Sequence, residues 1–146
     1  MTVREMRPED LDQVMEIENS LFRDAWTKEG FFTFLIRPDA LFLVAEEKEQ
    51  ILGYCGILMV LDEGDITNVA VKKERQREGI GGFLLDSLFL LVRGSGIKTI
   101  HLEVRESNQT AIRLYRRKGF VQDGLRKDYY TNPTENALLM SRTEEA

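Results

Sequence analysis

The sequence has a single cysteine, Cys55, and a single histidine, His101, in 146 residues. A lone cysteine excludes an intramolecular disulfide, which fits a reducing compartment. One thiol and one imidazole do not make a structural zinc site, and no metal is expected. Long apolar runs are lacking too. The longest stretch without a charged or strongly polar side chain, Ile51 to Leu61, has eleven residues, short of the 18 or so that a membrane span needs. Arg4, Glu5 and Arg7 stand where a secretory apolar segment would lie. Excess positive charge is missing as well: the formal net charge is −5. Nucleic acid is therefore not an expected partner, whereas a basic acceptor would be attracted. These absences lead to the expectation of a cytoplasmic protein with neither membrane nor nucleic acid as partner.

The sequence shows no internal repeat, linker or low-complexity segment. Its 42% hydrophobic and 31% charged content is that of a soluble globular chain, and its length predicts one domain over residues 1–146. Thr2 to Met6 reads as a first strand. Arg7-Pro8-Glu9-Asp10 opens a helix, with proline and two acids in its first turn. Leu11, Val14, Met15 and Leu21 mark its buried face, which Glu18 interrupts. Thr27 caps a second short helix to about Ile36. Leu41–Ala45 and Ile51–Leu61 form a hairpin around a charged tip, Glu46 to Gln50, and Gly53 and Gly56 predict a bulge or a close neighbour. An acidic turn, Asp62 to Asp65, leads to a strand from Ile66 to Val71. Further on come a helix from Phe83, a strand Thr99–Arg105, and a helix capped by Ser107 or Asn108 that stops at Gly119. Strands near Val121–Tyr130 and Ala137–Thr143 close the chain. This order predicts an α/β fold, a single mixed central β-sheet of about seven strands flanked by about four helices.

The stretch that organises the chain is Asn68 to Gly82. A short apolar strand, Val69-Ala70-Val71, is followed by a loop in which four of the six residues Lys72 to Arg77 are basic, and glycines then open a helix. A helix N-terminus carries unpartnered N–H groups and about half a positive charge, so it suits a phosphate. Gly79, Gly81 and Gly82 remove side chains where a ligand would approach backbone. Neither Gly-x-x-x-x-Gly-Lys-Ser/Thr nor Gly-x-Gly-x-x-Gly is present. What is present is Gln76-x-x-Gly79-x-Gly81 after a strand. That pattern resembles the coenzyme A pyrophosphate loop of the GNAT superfamily of N-acetyltransferases, whose form is Gln/Arg-x-x-Gly-x-Gly/Ala.

On the strand Thr99–Arg105, Ile100, Leu102 and Val104 share one face and His101, Glu103 and Arg105 the other. The polar face implies either a wet cleft or partnered charges. On the residues alone Glu103 is as readily an ion-pair partner of Arg105 or a neighbour, His101 a satisfied structural histidine, and Tyr115 a core residue. The run Leu102-Glu103-Val104-Arg105-x-Ser107-Asn108-x-x-Ala111-Ile112-x-Leu114-Tyr115-x-x-x-Gly119-Phe120 resembles the ribosomal-protein-alanine N-acetyltransferase (RimI) branch of that superfamily. Arg126-x-x-Tyr129-Tyr130 and Leu61-Asp62-Glu63 resemble it too. Trp26 matches a family tryptophan, although the family's preceding Phe-Pro is Asp24-Ala25 here. The resemblance implies a GNAT-like acyl-CoA N-acyltransferase fold and acetyl-CoA as donor. It implies Val69, Ala70 and Val71 along the pantetheine and acetyl group, and Arg77, Glu78, Gly79, Ile80, Gly81 and Gly82 at the pyrophosphate. It further implies Asn108 on the pantetheine arm, Glu103 as base and Tyr115 as acid. Trp26, Asp62, Glu63, Tyr129 and Tyr130 are the candidates for holding the acceptor.

The chemistry agrees with those roles. An attacking amine must be neutral: deprotonating an α-amine at pH 7 costs roughly 1.4 kcal/mol, and a lysine about 4.6 kcal/mol. One carboxylate is better matched to the α-amine. A carboxylate of ordinary pKa is a weak base, so this role asks for burial. Together with this chemistry, the resemblance implies direct acetyl transfer to a basic protein N-terminus, such as the N-terminal alanine of a small-subunit ribosomal protein. A lysine or small amine as acceptor, and a non-catalytic acyl-CoA-binding domain, stay open. Phe89 and Leu90 are expected on the solvent side of their helix, which leaves monomer and weak dimer open.

Overall fold

Lys48 and Glu49, with φ of 51° and 66°, make a two-residue reversal between strands that pair further than their composition indicates. In this computed structural model, which describes residues 1–144, β2 spans Ala40–Glu47 and β3 spans Gln50–Val60. The five-residue charged tip expected from the sequence therefore shrinks to two. Left-handed backbone at both central positions matches the twist of the flanking strands, and Glu46, Glu47 and Gln50 stay in the ladder. β1 (Thr2–Glu5) pairs antiparallel with β2, Thr2 opposite Glu46 and Glu5 opposite Leu43. Between β1 and β2 lie α1 (Leu11–Leu21), entered through a 3₁₀ turn at Pro8–Asp10, and α2 (Lys28–Leu35). The Thr27 side chain accepts from the Gly30 N–H at 3.0 Å and fixes where α2 starts.

β4 runs from Glu63 to Val71, not from Ile66. The acidic turn contracts to Leu61 and Asp62, with Leu61 at φ 56°. Glu63, Gly64 and Asp65 pair in parallel with Thr99, Ile100 and His101 of β5 (Thr99–Arg105). Gly64 and Ile66 are buried while Glu63 and Asp65 are exposed, a period-2 pattern that the two acids disguise as a loop. α3 (Ile80–Val92) follows β4, and α4 (Gln109–Arg117) follows β5. The chain closes with β6 (Val121–Tyr130) and β7 (Glu135–Thr143). The seven strands form one mixed sheet in the order β1-β2-β3-β4-β5-β7-β6. Among the described residues there are seven strands and four α-helices, in line with the about seven and about four expected from the sequence.

The chain gathers into two compact units, Met1–Leu58 with Thr67–Leu91, and Met59–Ile66 with Val92 onward. The first has a core of Leu11, Val14, Ile17, Phe31, Phe42, Val44, Ile51 and Tyr54, against which Trp26 packs. Its glycines allow close approach of backbone. A Cβ on Gly53 would lie 2.6 Å from the Ala70 carbonyl oxygen, and one on Gly56 would lie 2.2 Å from the Phe42 ring. Cys55 is buried, and burial pushes its thiol up to about 12. On α3, Leu84, Leu85, Leu88 and Phe89 are buried, and Phe83, Leu90 and Leu91 are exposed. Phe89 thus belongs to the core, contrary to expectation, because its position one residue after Leu88 keeps it on the buried arc. In the second unit β7 pairs antiparallel with the whole of β5, Thr99 opposite Thr143 and Arg105 opposite Ala137. The buried residues there include Ile100, Leu102, Val104, Ile112, Tyr115 and Phe120. Among the described residues no helix is long and apolar enough to cross a membrane.

Candidate active site

In the first unit, β4 delivers the chain into a 3₁₀ turn at Lys73–Arg75 and then into α3. The Gln76 side-chain amide donates to the Val71 carbonyl at 3.1 Å and ties the loop back to its strand. Arg77 and Gly79 both take left-handed backbone, φ 69° and 83°. The Gly79 carbonyl accepts the Phe83 N–H at 3.0 Å, so Gly79 is the last residue before the helix. A Cβ there would meet nothing within 4 Å: the position is open in front of the first turn of α3. No acid occupies that turn, so the helix's own side chains leave its positive end unneutralised. Of the four basic residues, Arg75 is held by Glu78 at 2.9 Å and Glu47 at 3.3 Å. Lys72, Lys73 and Arg77 make no ion pair among the described residues. Arg75 in turn holds the Glu78 carboxyl below its ordinary value. Open backbone, an uncovered helix start and three available cations fit a diphosphate.

In the second unit the alternation on β5 is as predicted. Ile100, Leu102 and Val104 are buried, and Glu103 is exposed. The Glu103 side chain is 36% exposed, so the burial that the sequence reasoning asked of a general base is missing. Its companions come from β6. Arg126 Nη1 stands 3.7 Å from Glu103 Oε1, and the Tyr129 phenol interacts with the same carboxylate. The Arg126 guanidinium also lies 5.0 Å from the centre of the Tyr129 ring. The hydrogen bond to Glu103, followed by partial burial, raises the Tyr129 phenol above its usual value. Tyr130 packs edge-on against Tyr129 at 5.0 Å, and burial, then the Glu103 charge, pushes its phenol up to about 12. Tyr115, on α4, is 8% exposed and packs edge-on against Phe120 at 5.8 Å.

Arg105 is not the partner of Glu103. Its guanidinium donates to the carbonyls of Thr131 and Pro133, at 3.0 and 3.1 Å, and to Glu135 at 3.3 Å. The other Glu135 oxygen accepts the Ser107 N–H at 2.5 Å. This clamp sets the β6–β7 turn, and the Arg105 cation stands 4.4 Å above the Tyr130 ring. Asn108 caps α4, its side-chain oxygen accepting from Ala111 N at 3.2 Å, which resolves the choice between Ser107 and Asn108. His101 is paired with Glu63 at 3.1 Å, a satisfied histidine. The Asp62 carbonyl accepts from Lys98 N at 2.7 Å while its side chain stays on the exposed β3–β4 turn. In the first unit Trp26 stacks on Phe34 at 4.8 Å and tilts against Phe31 at 4.9 Å. The contacts of Arg126, the Arg105–Glu135 clamp and the buried Glu18 carboxylate, which accepts the Trp26 N–H at 3.0 Å, were not legible in the sequence. The only signal for Glu18 was a charge on an apolar helical face.

A family model described as the acetyltransferase (GNAT) family matches residues 11–120. The chain belongs to the acetyltransferase (GNAT) family. It is an N-acetyltransferase, and its relatives are alike over nearly their whole length. A Bacillus subtilis protein, named provisionally a ribosomal protein bS18-alanine N-acetyltransferase, is 43% identical over 94% of this chain and 92% of its own. The Escherichia coli ribosomal protein bS18-alanine N-acetyltransferase is 31% identical over 96% of this chain and 95% of its own. The crystal structure of the Escherichia coli ribosomal-protein-S18-alanine N-acetyltransferase superposes with a TM-score of 0.92 at 29% identity, covering 99% of this GNAT chain and 94% of that one.

Proposed function

We propose that residues 1–146 act as one acetyltransferase domain that moves the acetyl group of acetyl-CoA directly onto a protein N-terminal α-amine. The acceptor we propose is the N-terminal alanine of the small-subunit ribosomal protein bS18, modified in the cytoplasm. The observation that carries this reading is the likeness to relatives named for that reaction over more than nine-tenths of both chains. Acetyl-CoA would supply an acyl group already activated as a thioester. The residues that would hold it are the backbone of Val69, Ala70 and Val71, the amides from Arg77 to Gly82, and Asn108. With the Asn108 oxygen engaged in capping, its side-chain N–H groups are what it would offer to the pantetheine amides. Lys72, Lys73 and Arg77 would balance the diphosphate charge.

Glu103 receives the acceptor's ammonium and takes its proton through a bridging water, a route that an exposed carboxylate permits. Its preference for an α-amine follows from the smaller deprotonation cost, roughly 1.4 against 4.6 kcal/mol for lysine. Tyr115 gives its phenolic proton to the leaving thiolate. Tyr129, Tyr130, Asp62 and Glu63 would meet a basic peptide, Trp26 is a further candidate for holding it, and the Arg105–Glu135 clamp holds the turn that follows the two tyrosines. The test is a panel of peptides beginning with Ala, Ser or Met, plus one with a blocked N-terminus and an internal Lys, incubated with acetyl-CoA and weighed. The expected product is the peptide bearing an acetylated N-terminal alanine. Acetylation of the lysine peptide alone would make the acceptor a side-chain amine. Coenzyme binding without any product would leave a binding domain.

A further inference from the structure

The charge that interrupts the buried face of α1 is 3% exposed, and it is surrounded by donors from three other parts of the first unit. The Trp26 N–H donates to Glu18 Oε2 at 3.0 Å. The Tyr54 hydroxyl, on β3, donates to Oε1. Asn68, on β4, donates its side-chain amide to Oε1 at 3.4 Å, and its own oxygen accepts from Thr67 Oγ1 at 2.9 Å. One carboxylate thus gathers the α1–α2 connection, a central strand and the residue just before Val69. The connection has almost nothing else of this kind: residues 22–27 have no regular structure, and Phe22, Arg23 and Asp24 are exposed.

Stability alone does not account for a carboxylate here. Replacing a buried charge and its partners by well-packed apolar groups is often neutral or stabilising. An apolar side chain would fill the same space but could not hold the Trp26 N–H or the Asn68 amide. We propose that Glu18 is a positioning residue for acetyl transfer. It fixes the connection from Phe22 to Thr27, which carries Trp26, against Asn68 of β4, just ahead of Val69–Val71, so that acceptor recognition depends on it and coenzyme binding does not. This rests on the acetyl-transfer reading above, with Trp26 on the acceptor side.

The test compares the unaltered protein with Glu18→Gln, which keeps the volume but turns a donor toward donors, and with Tyr54→Phe, which removes one of the three. The readouts are the rate of tryptic cleavage at Arg23 followed by mass, KM and kcat for the alanine peptide, and Kd for coenzyme A by calorimetry. Glu18→Gln is expected to speed cleavage at Arg23 at least 10-fold and to raise the peptide KM at least 5-fold. Kd for coenzyme A should stay within 2-fold, and Tyr54→Phe should move cleavage and KM the same way by 2- to 3-fold. Unchanged cleavage at Arg23, or a fall in activity that tracks lost folded protein with KM constant, would overturn the proposal. If Glu18→Gln does not fold, Tyr54→Phe decides by the same readouts. If the unaltered protein acetylates no peptide, the functional reading has failed, and cleavage at Arg23 still reports whether Glu18 holds the connection.

Discussion

Between Val71 and Ile80 the protein presents backbone; around Glu103 it presents side chains. In the first region Arg77 and Gly79 take left-handed φ, the space in front of α3 is open, and the loop is tied back by a hydrogen bond from the Gln76 side-chain amide to the Val71 carbonyl and by the Arg75 ion pairs. A rigid ligand of fixed charge can be met this way, because N–H groups at a helix start are placed by the chain itself. In the second region a carboxylate from β5 is met by a guanidinium and a phenol from β6, and Arg105 and Glu135 brace the turn that follows. Such a cluster can exchange partners and protons, which a cradle of amides cannot. Under the proposed function the first region holds the coenzyme and the second carries the chemistry.

The strongest way to break that assignment is to change the chemistry and leave the grip alone. Glu103→Gln and Tyr115→Phe should each lower kcat by about 10²-fold or more while Kd for coenzyme A, measured by calorimetry, is unchanged. Near-normal turnover in both would remove them from the reaction. The reverse experiment is Gly79→Ala. The added methyl group meets no atom, so its cost is the left-handed backbone alone, about 1–2 kcal/mol. Coenzyme affinity should fall, by at most roughly 5- to 30-fold where the free loop relaxes and the bound one must regain the left-handed geometry, with kcat at saturation nearly unchanged. Arg126→Ala should do less. An exposed pair is worth at most about 1 kcal/mol, so kcat/KM for a basic peptide should move by less than about fivefold. A loss as large as that of Glu103→Gln would place Arg126 in the chemistry itself.

The same contrast explains what could be read from the sequence. The loop was legible because its parts are contiguous: strand, basic stretch, glycines and helix follow each other from Asn68 onward. The capping of α2 by Thr27 and the stop at Gly119 were legible for the same local reason. The cluster around Glu103 was only half legible. Alternation placed Glu103 on the polar face of β5, but its partner proved to be Arg126, 23 residues on, and not Arg105 two residues away. No local rule gives the register that brings β6 over β7 to that spot. Glu63 and Asp65 misled because strand membership there is decided by parallel pairing with β5, which overrides the turn preference of two acids. Phe89 misled because the buried arc of α3 is wider than the polar positions at Asp86 and Arg93 indicate.

The smallest expected effect sharpens the comparison from the side of the turn. Glu135 accepts from Ser107 and pairs with Arg105, and these contacts, the Ser107 bonds foremost, hold its carboxyl below the ordinary value of 4.5. The folded form therefore binds fewer protons than the unfolded chain just below that value. The stabilisation is complete above about pH 4.5 and is lost as the pH falls through the depressed folded value. Thermal unfolding followed across the acid range should show the Glu135→Gln protein falling behind the unaltered one as the pH rises from the depressed folded value toward 4.5, with the gap constant above that. The loop before α3 has one such carboxylate, Glu78, which Arg75 holds below its ordinary value, but the course of the loop is also set by main-chain contacts and by the Gln76 side-chain amide. Coenzyme affinity should then stay flat across the interval in which the β6–β7 turn loosens and the peptide KM rises. Parallel changes in the two would mean that acid acts on the fold as a whole and not on the clamp.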